Sequence, residues 1–194
     1  KVLDATGTKS TAQSGEGAFY GPKIDAFVPD AIGREWQLGT VQLDFSLPER
    51  FDMEYTAENG NRDRPVVIHR AMLGSLERFL GVLIEHLSGA FPMWLAPVQA
   101  VIVPIADRHN EFCFEVGKRI SEAGFRVEVN DSNDRMNAKI RQAQLQKIPY
   151  MLVAGDREVE AKSLSVRTRS GDNLDPMSID QVIDRFTKQV ADRS

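Results

Sequence analysis

The stretch from Pro65 to His86 constrains the fold more than any other part of the chain. It opens with the β-branched segment 66–68 directly after a proline, which favours the start of a strand. Gly74 and Ser75 then interrupt the extended pattern, and serine is a good N-cap for a helix. The apolar residues that follow recur at helical spacing, at Leu76, Phe79, Leu80, Leu83, Ile84 and Leu87. The sequence therefore predicts a buried strand that turns into an amphipathic helix.

The point where this strand meets this helix is a candidate binding site. A helix N-terminus leaves backbone N–H groups unpaired and carries a positive partial charge, so it suits an anion. The polar side chains near that point are His69, Ser75, Glu77 and Arg78. An ordinary strand-helix unit with a core histidine and a surface arginine explains the same pattern, so this run by itself leaves both interpretations open.

The composition is typical of a soluble globular protein. Hydrophobic residues make up 42% of the 194 residues and charged residues 27%, which suits one large domain or two small ones. The net charge of −4 excludes a general polycation, so specific RNA binding would need a local basic patch. No segment approaches the roughly twenty apolar residues of a membrane span. The polar start, KVLDATGTKSTAQSGEG, does not resemble a signal peptide.

The chain has a single cysteine, Cys113. One cysteine excludes an intrachain disulfide and fits a reducing compartment. Its neighbours in a predicted helix are apolar, so we expect a buried, inert thiol. These features favour a cytoplasmic protein.

Extended segments dominate the first half of the chain, which ends at a short linker near residues 91–97. Strands are predicted at Ile24–Val28 and Trp36–Phe45. A further strand at Met53–Thr56 is expected to pair with Val66–Arg70 across a turn-rich segment. This pattern predicts an α+β domain over residues 1–93, in which an antiparallel sheet is backed by one long helix.

Strands and helices alternate in the second half, which we expect to be a domain over residues 94–194. Alternation of this kind predicts an α/β fold with a mainly parallel sheet of about five strands. Ser178 is expected to cap the final helix. The other predicted elements are strands at Gln99–Ile105, Arg126–Val129, Tyr150–Ala154 and Ser163–Thr168, and helices at Glu111–Ala123 and Asn137–Gln146.

The segment Gly74-Ser75-Leu76-Glu77-Arg78 resembles motif 3 of the class II aminoacyl-tRNA synthetases. The pair His69-Arg70 narrows the resemblance, as do two upstream segments, GEGAFYGPKIDAF and REWQLGTVQLDFSLPERF. Together these segments resemble the threonyl-tRNA synthetase family from about Gly15 to Asp192. The resemblance implies a C-terminal portion that carries part of the catalytic domain and then the anticodon-binding domain.

This resemblance implies a function in translation. Enzymes of the family activate threonine with ATP and Mg²⁺, then transfer it to tRNA(Thr), and they act as homodimers. The motif 2 arginine and the motif 1 dimer interface of the family are missing from these residues. We therefore expect this polypeptide by itself neither to activate threonine nor to dimerise properly.

The resemblance also assigns roles to individual residues. Lys23, Gln37 and Arg78 would be catalytic. The residues that would contact threonine, ATP or the adenylate are Tyr20, Lys23, Gln37, Thr40, Gln42, Gly74, Ser75 and Arg78. On a regular strand Gln37 would face away from Thr40 and Gln42, unless a bulge near Gly39 brings the three side chains to one face.

His69 matches a zinc ligand of the family, and the other two ligands would lie upstream of Lys1. As a lone imidazole on an apolar strand, His69 is otherwise explained as a core histidine. The family's zinc binds the amino and hydroxyl groups of threonine. Such a site would penalise valine strongly because valine lacks the hydroxyl.

The positions that match anticodon-reading residues of the family are Asn133, Arg141, Lys147, Glu158 and Arg167. Bases in an anticodon loop are unstacked, so side chains can read their edges. Lys147 stands where some members have arginine, which would forfeit a bidentate contact. Lys139 and Arg141, with Arg167 and Arg169, are expected to form a joint basic surface.

Two other interpretations remain open from the sequence. A non-catalytic RNA-binding paralogue would use the second domain without the first, but it would not need His69, Gln37, Thr40, Gln42 and Arg78 together. A related class II enzyme, such as the prolyl type, is disfavoured by the segment FYGPKID and by the His69-Arg70 pair.

Overall fold

The structure is a computed structural model that describes residues 2–193. Its contacts divide the chain between His86 and Leu87 into two units. The elements of the first unit are α1 (Val2–Ala5), β1 (Lys23–Pro29), β2 (Glu35–Asp44), α2 (Ser46–Arg50), β3 (Tyr55–Thr56), β4 (Arg62–Asp63), β5 (Val67–Ala71) and α3 (Leu76–His86).

The first unit contains the antiparallel sheet that the sequence predicts, in the strand order β1-β2-β5. The strand-turn-helix predicted from residues 65–86 is present as β5 and α3. However, β5 is not buried: its residues alternate between half-buried and exposed, and Ile68 is 62% exposed. Alternation of this kind is expected of a strand with one face covered and one open.

The pairing predicted for Met53–Thr56 is wrong. Tyr55–Thr56 pairs with Arg62–Asp63 in a short hairpin. The turn is closed by a hydrogen bond from the Ala57 N–H to the Asn61 carbonyl and contains Gly60 at φ 80°. Pairing with the segment that is nearer in sequence closes a shorter loop, which costs less conformational entropy than pairing with β5. β5 pairs with β2 instead.

The second unit is the predicted α/β domain. Its elements are β6 (Ala100–Pro104), a 3₁₀ turn (Asp107–His109), α4 (Asn110–Glu122), β7 (Val127–Val129), α5 (Met136–Leu145), β8 (Tyr150–Ala154), α6 (Asp156–Ala161), β9 (Ser163–Thr168), β10 (Met177–Ser178) and α7 (Ile179–Ala191). The five-stranded sheet has the order β10-β9-β8-β6-β7. Strands β7, β6 and β8 are parallel, and β9 and β10 extend the sheet antiparallel.

Each face of this sheet packs its own apolar cluster. One cluster joins the sheet to α4 and α7 and includes Ile120, Leu164 and Phe186. The other joins it to α5 and includes Ile140 and Met151. Ser178 caps α7 as predicted: its hydroxyl accepts the Gln181 N–H at 3.3 Å. The sheet is thus covered on both faces, as a parallel sheet requires.

The segment before β6 is fixed to the second unit by two polar side chains. The buried amide of Gln99 donates to the Met93 carbonyl at 2.8 Å. The Arg126 guanidinium donates to the carbonyls of Ala96 and Trp94. These contacts hold the end of the segment against the second unit. The limits of 1–93 and 94–194 for the two domains stay a prediction.

Candidate functional site

A β-bulge in β2 sets the geometry of the first unit. Ala26 pairs with Gly39 but Phe27 pairs with Gln37, so Leu38 is an extra residue in β2. An extra residue reverses the alternation of side chains beyond it. Gln37 therefore shares a face with Thr40 and Gln42. The sequence predicts this arrangement only for a strand that contains a bulge, and β2 contains one.

Asp25 is the centre of a polar network on that face. Its carboxylate accepts hydrogen bonds from Gln37 at 2.8 Å and Thr40 at 2.7 Å, and it forms an ion pair with Lys23 at 2.8 Å. Burial disfavours the charged form of Asp25, but the bonds from Lys23, Thr40 and Gln37 outweigh it and lower the pKa of this carboxyl. The hydrogen bond to Asp25 raises the pKa of Lys23. Both groups are therefore charged at neutral pH.

The network continues to Tyr20. The Gln42 amide donates to the Thr40 hydroxyl at 3.0 Å, and the Tyr20 hydroxyl donates to the Gln42 carbonyl oxygen. This end of the network borders a cavity of about 470 Å³, a size that suits a small polar ligand. The cavity is lined by Phe19, Tyr20, Gln42, Asp44, Ser46, Leu47, Arg50 and His69.

His69 reaches the same cavity and is held by Asp44. Its Nε2 atom lies 2.8 Å from Oδ2 of the buried Asp44. The Tyr20 ring meets the imidazole edge to face, with ring centres 5.9 Å apart. Burial disfavours the charged form of Asp44, but the bond from His69 and two backbone N–H groups lower its pKa overall. An ionised carboxylate accepts the proton of Nε2, which leaves Nδ1 as a potential ligand.

The arrangement of His69 fits one ligand of a metal site. A histidine that binds a metal commonly donates its other N–H to a carboxylate, as His69 does to Asp44. Within residues 2–193, however, no cluster of three or more His, Cys, Asp or Glu side chains could complete such a site. Further ligands would have to come from other residues.

Gly74 lies against the bulge. Its φ is +60°, and a Cβ at this position would lie 2.7 Å from the Leu38 carbonyl oxygen. Glycine adopts this left-handed conformation without steric cost and permits the close approach. The turn before α3 is therefore fixed next to the residue that shifts the register of β2.

Arg78 is held by strand β2. Its Nη1 donates to the Gln37 carbonyl at 3.0 Å, and its guanidinium lies 5.8 Å from the centre of the Trp36 ring. The Ser75 hydroxyl accepts the Arg78 N–H at 3.3 Å, which caps the first turn of α3. The side chain remains exposed, so its planar cation is available to a ligand.

Sequence reasoning missed three residues of this site: Asp25, Asp44 and Trp36. Asp25 lies two residues after Lys23 on one strand, so the two share a face, and that spacing could have indicated it. Trp36 is held by a hydrogen bond from its indole nitrogen to Asp30 at 3.0 Å. That bond, with others from Arg34, lowers the pKa of Asp30 against the effect of its burial.

In the second unit, Glu158 contacts Ser165, which lies two residues before Arg167 on β9. Glu158 accepts the Gly155 N–H at 2.9 Å and the Ser165 hydroxyl at 2.7 Å. Ser165 and Arg167 alternate on β9 with the core residues of the α4 side, so they lie on the side of the sheet that packs against α5. The Arg167 Nε atom is buried and has no hydrogen-bond partner among the described residues.

The remaining candidates in this unit are exposed. Arg141 is on α5, Asn133 precedes that helix, and Lys147 follows it. Helix α5, which carries Arg141, packs on the side of the sheet where Ser165 and Arg167 lie.

The joint basic surface is smaller than predicted. Lys139 is only 5% exposed, and its ammonium donates to the carbonyls of Asn130 at 3.0 Å and Pro104 at 3.4 Å. Arg169 donates to the carbonyls of Phe91 and Lys147. Both cations therefore bind the protein's own backbone, so including them in an exposed basic surface was wrong.

A third polar cluster joins two elements of the second unit. The buried His109 donates from Nε2 to Asp156 at 2.8 Å, and its Nδ1 accepts the Ala106 N–H at 3.2 Å. Arg108 donates to both oxygens of Asp156. The bonds from Arg108 and His109 lower the pKa of Asp156. This carboxylate fixes the first residue of α6, the helix that carries Glu158.

Comparisons with protein families agree with this division. Residues 1–87 match the family model described as tRNA synthetase class II core domain (G, H, P, S and T). Residues 99–189 match the one described as anticodon binding domain. Together the two matches define a class II aminoacyl-tRNA synthetase.

The sequence comparisons name the family within that class. The chain is 52% identical over 180 residues to a threonine–tRNA ligase of Caldanaerobacter subterraneus, and 56% identical over 170 residues to one of Deinococcus deserti. These alignments cover 93% and 88% of this chain but 28% and 26% of the relatives. The chain belongs to the threonine–tRNA ligase family and spans less than a third of the length of these relatives.

Solved structures show the same relationship. The RNA binding domain of threonyl-tRNA synthetase from Cryptosporidium parvum superposes with a TM-score of 0.87 at 40% identity, over 96% of this chain and 47% of that one. A prolyl-tRNA synthetase from the same organism superposes with a TM-score of 0.69 at 24% identity, over 93% of this chain and 41% of that one. The second match shows a shared fold.

Across residues 2–193, every helix is too short or too polar to cross a bilayer.

Proposed function

We propose that this chain takes part in the ligation of threonine to tRNA(Thr). In this reaction threonine is activated with ATP and Mg²⁺ to threonyl-adenylate and pyrophosphate, and the threonyl group then passes to the terminal ribose of the tRNA. The observation that carries the proposal is the network around Asp25, which joins Lys23, Gln37 and Thr40 on one face of β2. It supports an adenylate site because its donors are fixed before a ligand arrives.

Each polar group of the network has a role in this proposal. The Lys23 ammonium stays charged at neutral pH and would face the negative charge of the adenylate phosphate. Arg78 would contact ATP as a planar cation. Gln37, Thr40 and Gln42 would offer amide and hydroxyl groups to threonine and the adenylate, and Tyr20 would line the same pocket. Gly74 and Ser75 would let the backbone approach the nucleotide.

His69 would hold a zinc ion through Nδ1, because Nε2 donates to Asp44. When bound, zinc would engage the amino and hydroxyl groups of threonine. His69 itself would only bind and orient the ion. A site of this kind discriminates by leaving a polar group unpaired when valine binds in place of threonine.

The second unit would read the anticodon. Asn133, Arg141, Lys147, Glu158 and Arg167 would form hydrogen bonds with the edges of unstacked bases. Each Glu158 oxygen accepts one bond within the protein, and a carboxylate oxygen can accept a second. The partners of the full-length protein would then be tRNA(Thr), threonine and ATP. The homodimer and the cytoplasmic location stay predictions.

Threonine-dependent exchange of pyrophosphate into ATP tests the catalytic part. In the full-length protein, Arg78→Ala is expected to reduce exchange strongly, and Arg62→Ala in the β3–β4 hairpin is expected to leave it unchanged. The 194-residue chain by itself is expected to show no exchange. Measurable exchange by this chain would refute that expectation.

Filter binding to tRNA(Thr) transcripts with altered anticodons tests the second unit. Weaker binding to altered anticodons is expected, and indifference to the anticodon would contradict the proposal. The RNA-binding paralogue differs in one result: it would discriminate between anticodons, yet its full-length form would not catalyse exchange.

A further inference from the structure

The chain leaves α5 through a turn centred on Lys147. The Lys147 N–H donates to the Gln144 carbonyl at 3.0 Å, and the Ile148 N–H donates to the Ala143 carbonyl at 3.1 Å. These two bonds form a Schellman motif, in which the residue after the helix is usually glycine. Here that residue is a lysine with φ 61°. A side chain in this conformation is strained, so contacts beyond the helix are needed to hold the turn.

Arg169 supplies those contacts. Its Nη1 donates to the Lys147 carbonyl at 3.1 Å and to the Phe91 carbonyl at 2.9 Å. Its backbone N–H donates to the Pro149 carbonyl at 2.9 Å. A cation is favourable here because carbonyls near a helix C-terminus carry partial negative charge. Arg169 directly follows β9, so these bonds tie the turn to the end of β9 and to the segment before β6.

The turn has room to move if this tie is lost. A cavity of about 220 Å³ lies beside it, lined by residues that include Phe91, Pro97, Glu128, Lys147 and Ile148. Packing on that side is incomplete, so the hydrogen bonds of Arg169 carry much of the restraint. The direction in which the Lys147 side chain leaves the backbone depends on φ, because the backbone conformation limits the rotamers.

We propose that Arg169 is a positioning residue for anticodon recognition. It holds the backbone of Lys147 in the left-handed conformation and so fixes where the exposed Lys147 ammonium meets the RNA. This inference rests on the proposed role of Lys147 in the anticodon site. In this inference Arg169 acts through the protein, because Nη1 of its guanidinium donates to two carbonyl groups.

Binding of the 194-residue chain to an RNA hairpin with the anticodon stem and loop of tRNA(Thr) tests this inference. Arg169→Ala is expected to weaken binding by roughly ten-fold, since the loss of hydrogen bonds from a charged donor releases the turn. Arg169→Lys is expected to recover part of the affinity, because an ammonium can reach one carbonyl. The double variant with Lys147→Ala is expected to bind no more weakly than Lys147→Ala alone, because Arg169 acts through Lys147.

Lys118→Ala is the matched control for the loss of one positive charge. Lys118 is exposed on α4, which packs against the other face of the sheet, and we expect unchanged binding. Hydrogen exchange at the Ile148 amide reports the turn directly and is expected to become faster in Arg169→Ala. If that variant does not fold, Arg169→Lys with and without Lys147→Ala gives the same comparison.

The possible results distinguish a failure of the positioning role of Arg169 from a failure of the proposed anticodon site. If Arg169→Ala binds as tightly as the wild type, or if its effect and that of Lys147→Ala multiply, the positioning role is overturned. If Lys147→Ala has no effect and the hairpin's anticodon does not matter, the proposed anticodon site itself is wrong.

Discussion

His69 donates from Nε2 to Oδ2 of Asp44 across 2.8 Å, which joins the middle of β5 to the last residue of β2. The other oxygen of Asp44 accepts the N–H groups of Ser46 and Leu47 at 2.8 and 3.0 Å. One buried carboxylate therefore orients the imidazole and also starts α2. A change at Asp44 is expected to affect the histidine and the helix together.

Asp44→Asn is expected to lower the zinc affinity of the full-length protein about 10- to 100-fold, a typical effect of losing the carboxylate behind a metal-binding histidine. Asparagine keeps an oxygen for the two backbone N–H groups, so α2 is retained. Titration against a competing chelator measures the affinity. His69→Ala should abolish binding at this site, whereas His86→Ala, an exposed histidine, should not change it. Equal affinities of Asp44→Asn and the wild type would disprove the role of Asp44.

Gly74→Ala is expected to destabilise the first unit by more than about 1 kcal/mol, because the new Cβ would clash with the Leu38 carbonyl and the residue has a positive φ. Gly81→Ala is a matched control within α3. Among the described residues, a Cβ at Gly81 meets no atom within 4 Å. We expect it to stabilise the helix by about 0.5–1 kcal/mol. Urea unfolding of both variants measures the two changes in the free energy of unfolding, and the prediction requires that they have opposite signs.

Asp25→Ala is expected to lower the free energy of unfolding by about 1–3 kcal/mol at neutral pH, because Lys23, Gln37 and Thr40 lose their common acceptor. The folded protein lowers the pKa of Asp25 below its usual 3.8. Its contribution is therefore complete above about pH 4 and is lost as the pH falls through the lowered pKa. Denaturation at several pH values should show the difference between variant and wild type shrink in acid. Asp63→Ala, in an exposed hairpin, should stay within about 0.5 kcal/mol throughout.

Asp156→Ala is expected to lower the free energy of unfolding, because it leaves the Nε2–H group of the buried His109 without an acceptor. Arg108→Ala removes the exposed partner of the same carboxylate and is expected to lower the free energy of unfolding less. Urea unfolding followed by circular dichroism gives both values. A larger loss for Arg108→Ala than for Asp156→Ala would show that the ion pair, not the buried histidine, dominates this cluster.

Cys113 should be inert in the folded protein. The residue is fully buried, and burial raises the pKa of its thiol to about 11. Thiolate is the reactive form, so a thiol reagent at neutral pH should label Cys113 only after unfolding. Rapid labelling of the native chain would contradict this burial.

The parts of the fold that the sequence predicted correctly are those with strong apolar patterns. β6 and β8 are five buried residues each, and buried runs of this kind are clear in a sequence. Helix α6 was missed because its sequence, DREVEA, has no apolar period and its start depends on the contact of Glu158 with Gly155. Short elements held by tertiary contacts leave little local signal.

The partners of polar side chains are also difficult to predict from the sequence. Lys139 has the sequence signature of a solvent-exposed cation, yet the carbonyls of Pro104 and Asn130 accept its ammonium inside the fold. Asp25 gained its importance from the pairing of β1 with β2, which sets it opposite Thr40. The sequence contains these residues, but cross-strand register and the carbonyls of distant segments decide their partners.

The bulge at Leu38 decides which side of the sheet the start of β2 presents. Gln37 and Thr40 are three residues apart, so a regular strand of the same length would point their side chains to opposite sides. Loss of the bulge at constant chain length would therefore turn Gln37 away from Asp25 without changing a single polar side chain, whereas deletion of Leu38 would keep Gln37 on the same side. The chemistry of this face thus depends on one surplus apolar residue that contributes no polar group of its own.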